Sequence, residues 1–399
     1  MSWPSVKLGG VCRVIPGFAF KSADFTTQGI PVVKIANITD HYTVDLTEAE
    51  HWPNELFNEK LSKFLLQDRD ILLAMTGATA GKLGRVRTDQ ALLLNQRVAK
   101  IQPFEADPDF MWFLLSSPKY RERFYNLAGG AAQPNMSGGQ IEAVEIPLPP
   151  GPVQERIGSI LSGYDDLIEN NRRRMALLEE AARHLYREWF VRLRFPGHEH
   201  TRITNGVPEG WQRVPTPEAV DINPRTHLSD EAEHWSVEMA DLPTNSMVIQ
   251  QANKREGRSG SKFRNGDTLF ARITPCLENG KTAFVDFMDE GEVARGSTEF
   301  IVLRSRRLTP EFVYCLARTY DFRENAIKSM VGSSGRQRVQ EGCFDKFLVL
   351  APPSTLLSLF TDSVRPVFQQ IKVLHAQDRK LRAARDLLLP RLMSGEITV

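Results

Sequence analysis

The stretch that decides the fold is residues 153–189, VQERIGSILSGYDDLIENNRRRMALLEEAARHLYREW. Its seam recurs in alternating steps of four and three residues, which is the spacing of a coiled coil, at Ile157, Leu161, Tyr164, Ile168, Asn171, Met175, Leu178, Ala182, Leu185 and Trp189. Asn171 is the one polar member, and a lone polar seam residue typically fixes the register with a partner helix. Prolines precede and follow the stretch, so we expect one helix of roughly 55 Å.

A second stretch of the same length follows Pro353 and predicts the partner helix. It runs from Ser354, a favourable N-cap, to about Pro390, and Pro366 is expected to kink it. Its poorer seam is Phe360, Val364, Val367, Ile371, Leu374, Asp378, Leu381, Arg385 and Leu388. Because a lone helix cannot bury its own apolar stripe, we expect the two helices to pack as an antiparallel pair.

The segments that precede the two helices repeat one order of features. Asp70, Lys82, Asp109 and Pro149 recur roughly 200 residues further along, as Asp267, Lys281, Glu311 and Pro352. In the first segment we expect strands at 30–35, 70–75, 85–87, 92–101 and 144–148, and helical spacing at 109–125. The sequence therefore predicts an α+β chain of two pseudo-repeated α/β domains, at 1–150 and 196–352, separated by two long antiparallel coiled-coil helices, at 151–195 and 353–399.

Composition excludes several classes of protein. The net charge is +1, and the four cysteines are far apart without a C-x-x-C pair, so neither a zinc knuckle nor a redox pair is indicated. We find no signal peptide and no run of about 18 apolar residues, so we expect a cytoplasmic protein without a membrane span.

Two similar domains on a stiff rod would suit a ligand that is itself a rod with spaced sites. Duplex DNA fits, because equivalent faces recur every ~34–36 Å. Non-identical domains would read different half-sites, so we expect an asymmetric target split by unread bases.

Local charge supports DNA better than net charge does. Residues 82–100 hold five basic residues against one acid, and residues 254–281 hold seven against three. For any single residue a solvated charged face is an equally good explanation, but the two clusters fall at equivalent places in the repeat. Basic side chains suit phosphates, and arginine and amide side chains suit base edges. The candidate DNA contacts are Lys21, Thr79, Lys82, Arg85, Arg87, Asn95, Gln96, Arg97, Gln133, Asn135, Lys254, Arg255, Arg258, Lys262, Arg272, Lys281, Arg336, Gln337 and Arg338.

Signals for catalysis, cofactors and metals are weak. Gly280-Lys281-Thr282 resembles the end of a phosphate-binding loop, but Pro275 stands where that loop needs glycine. His198-Glu199-His200 follows a Pro-Gly turn with no further metal ligand nearby. We therefore predict no catalytic, cofactor-binding or metal-binding residue in this chain.

The chain resembles the DNA specificity subunits of type I restriction–modification systems over its whole length. The resemblance rests on the Trp3–Gly9 opening, the Thr76–Lys82 loop, Ile146–Pro150 leading into Gln154–Ile157, and the closing Leu388–Ile397 segment. One departure is Arg272–Lys281, which lacks the Gly/Thr composition of the first loop.

The resemblance implies a non-catalytic subunit whose two domains are target-recognition domains, each reading one half-site. It also implies two methyltransferase subunits carrying S-adenosylmethionine and two restriction subunits using ATP and Mg²⁺. A self-contained DNA-modifying enzyme and a protein scaffold without DNA contact are the alternatives. The recognised bases, the spacer length and the existence of a restriction partner do not follow from the sequence.

Overall fold

The chain divides into two compact units, which we name unit 1 (Met1–Leu167 with Leu381–Val399) and unit 2 (Ile168–Lys380). The structure is a computed structural model, and it describes residues 3–39, 42–129, 135–231, 233–333 and 335–399. Each unit contains one globular portion and part of both long helices, so each is described separately.

Unit 1 is built on two four-stranded sheets. One has the order β2-β9-β6-β7 and the other β4-β3-β8-β5, in which β3 and β8 run parallel; β1 pairs with β10. The strands are β1 (Ser5–Lys7), β2 (Cys12–Pro16), β3 (Ile30–Val33), β4 (His51–Trp52), β5 (Leu65–Leu66), β6 (Ile71–Ala74), β7 (Leu83–Arg85), β8 (Leu92–Leu94), β9 (Val98–Pro103) and β10 (Glu145–Pro147). The short helices are α1 (Glu59–Ser62), α2 (Pro108–Leu115), α3 (Pro118–Leu127) and α4 (Gly138–Glu142).

Helix α2 is the centre of one core of this unit. Asp107 caps it, accepting a hydrogen bond from the Phe110 backbone at 2.7 Å, and the apolar residues Phe110–Leu115 are all buried. A second core lies around Val32, Leu72 and Leu93, where the two sheets meet.

Three predictions about unit 1 need correction. Residues 92–101 form two strands in different sheets, because the turn at Asn95–Arg97 ends β8 before β9 begins. Residues 109–125 form two helices, because the residue before Pro118 is extended. The strand predicted at 85–87 lies instead at Leu83–Arg85.

A long helix, α5 (Gly151–Tyr186), follows β10 and continues as a π-helical segment over Arg187–Val191. The seam prediction is confirmed, because all ten seam positions are buried or half-buried.

Unit 2 repeats the topology of unit 1. Its sheets have the orders β14-β21-β18-β19 and β16-β15-β20-β17, with β15 and β20 parallel, and β13 pairs with β22. The added hairpin is β11 (Ile203–Thr204) with β12 (Val207–Pro208); the other strands are β13 (Gln212–Pro215), β14 (Val220–Ile222), β15 (Glu233–Val237), β16 (Asn253–Glu256), β17 (Ser261–Arg264), β18 (Thr268–Ala271), β19 (Thr282–Phe284), β20 (Val293–Gly296), β21 (Phe300–Ser305) and β22 (Leu348–Ala351). The helices are α6 (Thr216–Ala219), α7 (Pro310–Ala317), α8 (Tyr320–Lys328) and α9 (Ser354–Met393). The predicted pseudo-repeat is therefore confirmed strand by strand.

The two long helices pair in antiparallel order within each unit. In unit 2, Asn171 Nδ2 donates to Asp378 Oδ1 at 3.1 Å, and the Trp189 ring lies 6.1 Å from the Phe360 ring. In unit 1, Arg385 donates to Asp165 at 2.6 Å. The polar members of the α9 seam thus pair with polar residues of α5.

Helix α9 corrects one prediction about proline, because it continues past Pro390 to Met393. It also runs through Pro366 as one helix, and the kink expected there stays a prediction. Both prolines lie on the exposed face. There the carbonyl that loses its helical partner can bond to water, so the helix tolerates the missing donor.

Candidate nucleic-acid interface

In unit 1, three loops meet at the end of β6. The Met75 backbone donates to the Arg97 carbonyl at 2.9 Å, and the Met136 backbone donates to the Met75 carbonyl at 2.9 Å. Thr76 forms an antiparallel bridge with Asn135. These bonds hold the 76–82 turn, the 95–97 turn and the segment at Asn135 together, and we name this surface edge 1.

Edge 1 carries several of the side chains that the sequence predicts to contact DNA. Its exposed or half-buried candidates are Thr79, Lys82, Asn95, Gln96, Arg97 and Asn135. The Gln96 backbone donates to the Phe18 carbonyl at 2.9 Å, which adds the segment leading to exposed Lys21. Gln133 lies outside the described residues.

Phe18 is a member of edge 1 that the sequence reasoning missed. Its ring is 36% exposed and packs edge-on against Phe20 at 5.0 Å. The available signal was an aromatic residue in the Pro16–Lys21 segment, which also holds the candidate Lys21. An exposed ring here offers an apolar surface of the kind that contacts a thymine methyl group.

Unit 2 builds the same surface with the same backbone bonds, and we name it edge 2. The Arg272 backbone donates to the Glu299 carbonyl at 3.0 Å, and the Val339 backbone donates to the Arg272 carbonyl at 2.9 Å. Ile273 bridges Arg338 as Thr76 bridges Asn135. Arg272 therefore stands at the place of Met75, Glu299 at that of Arg97, and Arg338 at that of Asn135.

The lysines in the two sequence echoes are structurally equivalent. The last residue of β6, Ala74, donates to the Lys82 carbonyl at 2.8 Å, and the last residue of β18, Ala271, donates to the Lys281 carbonyl at 3.1 Å. The half-buried Lys281 ammonium also donates to the Met239 carbonyl at 2.7 Å. The same backbone bond thus closes the turn at both edges, although the two turns differ in length.

Edge 2 is more strongly charged than edge 1. Arg338 and Glu299 form a bidentate pair with N–O distances of 2.6 to 3.0 Å, and Arg272 lies 3.0 Å from Glu341. The hydrogen bond from Arg338 lowers the pKa of Glu299 and raises the pKa of Arg338, so both are charged at neutral pH. Exposed Arg336 and half-buried Gln337 complete the edge.

Part of the first basic cluster belongs to the interior of unit 1. Arg85 is 2% exposed, pairs with Asp109, and has two buried nitrogens without a partner. Burial lowers the pKa of Arg85. Arg87 bonds to Asp166 of α5 at 3.1 Å, and Lys100 is buried beside Asp70 at 3.3 Å.

The burial of Arg85 corrects the prediction that it contacts DNA. Arg87 is half-buried and paired with Asp166, and its contact with DNA stays a prediction. Strand β7 is buried at all three of its positions, so the alternation of side chains along it does not place Arg85 at the surface. At the same ladder position unit 2 has Phe284, which pairs with Thr268 as Arg85 pairs with Ile71. Phe284 packs 5.0 Å from Phe368 of α9, so the two units dock on their helices by different chemistry.

The second basic cluster is divided between two surfaces. Arg255 pairs with Glu238 at 3.2 Å, next to the Met239 carbonyl that accepts from Lys281, so it adjoins edge 2. Lys254 lies over the Trp235 ring at 5.4 Å. Arg258 bonds to Asp230 at 2.9 Å, and Lys262 bonds to the Gly260 carbonyl at 2.8 Å, so both hold the turn between β16 and β17.

Sites for a metal or cofactor are not evident in the described ranges. They contain no group of three or more His, Cys, Asp or Glu side chains that could hold a metal ion, and no helix long and apolar enough to cross a membrane. A cavity of about 780 Å³ at the start of β18 is lined by Arg225, Arg264 and Lys372 among others. It lies at the opposite end of β18 from Arg272.

Comparison with known proteins points to one family. Residues 2–180 match the family model described as type I restriction modification DNA specificity domain. The specificity subunit of the type I restriction enzyme MjaIX of Methanocaldococcus jannaschii is 23% identical over 310 residues, which are 73% of this chain and 69% of that relative. The EcoEI specificity subunit of Escherichia coli is 28% identical over 158 residues, 37% of this chain and 26% of that relative.

A solved structure shares the fold along the length of the chain. The S subunit of a type I restriction–modification system from M. genitalium superposes with a TM-score of 0.58 at 14% identity, covering 98% of this chain and 96% of that one.

Proposed function

This chain belongs to the family of type I restriction–modification DNA specificity subunits, and from that premise we propose that it reads a split, asymmetric duplex sequence. One half-site is read at edge 1 and the other at edge 2. The observation that carries the proposal is that one set of backbone bonds builds both edges, while their equivalent positions hold different side chains. Two edges with the same backbone arrangement but different side chains would recognise two different half-site sequences.

We assign the target-recognition domains to residues 1–150 and 196–352 and the spacer helices to 151–195 and 353–399. The chain is non-catalytic and resides in the cytoplasm. Two methyltransferase subunits that bind S-adenosylmethionine dock on it, and two restriction subunits that use ATP and Mg²⁺ join them. No cofactor binds to this chain itself. The family premise supports each of these assignments.

The decisive experiment is genome-wide sequencing of modified bases in a methylation-free host. The host carries the cognate methyltransferase subunit with and without this chain. A split, asymmetric methylated motif that needs this chain is the expected result. No motif from a folded and assembled complex would contradict the proposal, and modification by the purified chain alone would favour a self-contained enzyme.

The length of the helices provides a second test, of the proposal that they set the spacer. Deleting 168–174 from α5 and 375–381 from α9 removes one heptad from each helix at positions that face each other across Asn171 and Asp378. The seams stay in phase, and the pair shortens by roughly 10 Å, about three base pairs. We expect a shorter spacer with unchanged half-sites. An unchanged spacer would refute this role of the helices.

A further inference from the structure

We propose that Arg338 reads a guanine in the half-site bound at edge 2, and that Glu299 is the positioning residue that orients its guanidinium. This inference rests on the proposed function and names the chemistry of one contact within it. It is carried by the backbone frame around Arg338, by the geometry of its ion pair, and by comparison with edge 1.

The backbone of Arg338 is fixed on both sides. It exchanges two hydrogen bonds of 3.0 Å with Val331. On its other side it bridges Ile273, and the flanking bonds are Thr274 to the Gln337 carbonyl at 3.1 Å and Val339 to the Arg272 carbonyl at 2.9 Å. Because the backbone of Arg338 is held on both sides, its side chain has fewer conformations available when a base approaches.

The side chain of Arg338 is also fixed, by one edge of its guanidinium. Nε lies 2.9 and 3.0 Å from the two Glu299 oxygens, and one terminal nitrogen lies 2.6 Å from Glu299 Oε1. This arrangement uses one of the two N–H edges that a planar guanidinium offers. The remaining edge presents two parallel N–H donors, which match the O6 and N7 acceptors of guanine in the major groove.

Arg338 is the more exposed member of the ion pair, and Glu299 is the less exposed one. The Arg338 side chain is 48% exposed and the Glu299 side chain 21%. The carboxylate is therefore the inner partner and the guanidinium the outer one. Arg338 is therefore the member of the pair that an approaching base would meet first.

Edge 1 lacks this pair at the equivalent positions. Asn135 stands where Arg338 does, and Arg97 stands where Glu299 does. An asparagine matches adenine rather than guanine. The half-site read at edge 1 therefore serves as an internal control, because changes at Arg338 should leave it untouched.

The test uses the full chain assembled with its methyltransferase subunits and a library of duplexes with randomised half-sites. Methylated molecules are selected and sequenced for the unsubstituted chain and for Arg338→Lys. Lysine keeps the positive charge but lacks the two parallel N–H donors of a guanidinium. We therefore expect discrimination for guanine at one position of one half-site to fall roughly 5- to 150-fold. The other half-site should keep its sequence, which reports that the variant is folded and assembled.

Glu299 is tested by its amide and by its shorter acid. Glu299→Gln should relax the same base position, and Glu299→Asp should restore part of the preference, since only aspartate retains a charged acceptor. Arg306→Lys is the matched control; Arg306 is an exposed arginine beyond the far end of β21 that lies 3.8 Å from Asp221.

Three results would overturn the inference: no guanine in the affected half-site, no change with Arg338→Lys, or an equal change with Arg306→Lys. A failure of the proposed function looks different, because the unsubstituted chain would then yield no split motif.

Discussion

Glu179 of α5 ties the globular portion of unit 2 to the long helix, and its removal should destabilise that unit. Its side chain is 5% exposed. It accepts from the Tyr314 hydroxyl at 2.6 Å and from the Met247 backbone at 2.7 Å, and the Arg318 guanidinium lies 4.0 Å away. Burial raises the pKa of Tyr314, so its hydroxyl stays protonated and remains a donor.

The size of the effect follows from these contacts. A hydrogen bond to a charged group contributes ~1.5–3 kcal/mol, and breaking a buried pair by removing one partner costs about 3–5 kcal/mol. Glu179→Ala leaves the Tyr314 hydroxyl and the Met247 amide without their acceptor. It also removes the carboxylate that lies 4.0 Å from the Arg318 guanidinium. We therefore expect a loss of about 4 kcal/mol. Glu179→Gln keeps one acceptor oxygen, so we expect a loss of roughly 1–2 kcal/mol.

The matched control is Glu180→Ala. Glu180 is the next residue, its side chain is 63% exposed, and its partner is His184 at 3.5 Å. We expect its removal to change stability by less than about 0.5 kcal/mol. Urea denaturation followed by tryptophan fluorescence measures stability, and hydrogen exchange of the Met247 amide reports the contact itself. Glu179→Ala with a loss below about 1 kcal/mol and unchanged exchange at Met247 would refute the reasoning.

Three other changes have expected outcomes. Lys82→Ala should weaken binding to every duplex and reduce the slope of log affinity against log salt concentration by about 0.9. Titrations at several salt concentrations measure this slope, and an unchanged slope would show that Lys82 does not contact a phosphate. Arg85→Met should be tolerated within about 1 kcal/mol, because Asp109 is partly exposed and keeps Arg69 at 3.2 Å, Arg85 has unpartnered buried nitrogens, and unit 2 holds an apolar residue at the same place. Arg85→Ala should cost ~2–4 kcal/mol through the cavity. Equal losses for the two variants in thermal denaturation would contradict this. Burial raises the pKa of Asp286 to about 6, so the folded state binds this proton more tightly than the unfolded state and stability should fall as pH rises from about 4 to about 6. Asp286→Asn should abolish that fall and raise the free energy of unfolding at pH 7 by up to about 3 kcal/mol. Urea midpoints of this variant that match those of the unsubstituted chain across the pH range would show that Asp286 does not cause the pH dependence.

Long periodic features were predictable from the sequence because many residues report on each of them. The seam of α5 repeats over ten positions, so one polar exception at Asn171 did not obscure it. The pseudo-repeat was visible through Asp70, Lys82 and their echoes, although few side chains agree. Each of these signals sums weak local preferences over many residues.

Short strands were harder to predict because they contain less than one full alternation. Three-residue β7 is buried at every position, so the period of two did not tell which side Arg85 faces. The tight turn at Asn95–Arg97 lies between two short apolar runs, so the sequence predicts one strand where there are two. In both cases tertiary covering of the sheet decided the outcome, and local pattern carries no information about it.

Glu299 is not among the predicted DNA contacts, because that prediction rests on basic, amide and hydroxyl side chains. The repeat held the signal, since Glu299 immediately precedes β21 as Arg97 immediately precedes β9. An acid at that place is informative only once Arg338 is known to lie beside it. Pairing between residues 39 apart is a tertiary fact, and the guanine contact that we propose for Arg338 depends on it.

The two edges show how one backbone arrangement can carry different candidate DNA-contacting side chains. The bonds that join their loops run between backbone groups, so they form whatever side chains stand at Met75 and Arg272, or at Asn135 and Arg338. Side chains there can change without removing these backbone bonds. The positions that read DNA in our proposal are thus separated from contacts such as Glu179 with Tyr314, which hold the unit to its helix. Substitutions at the edges should therefore alter the recognised bases with little effect on stability, and substitutions at Glu179 should do the reverse.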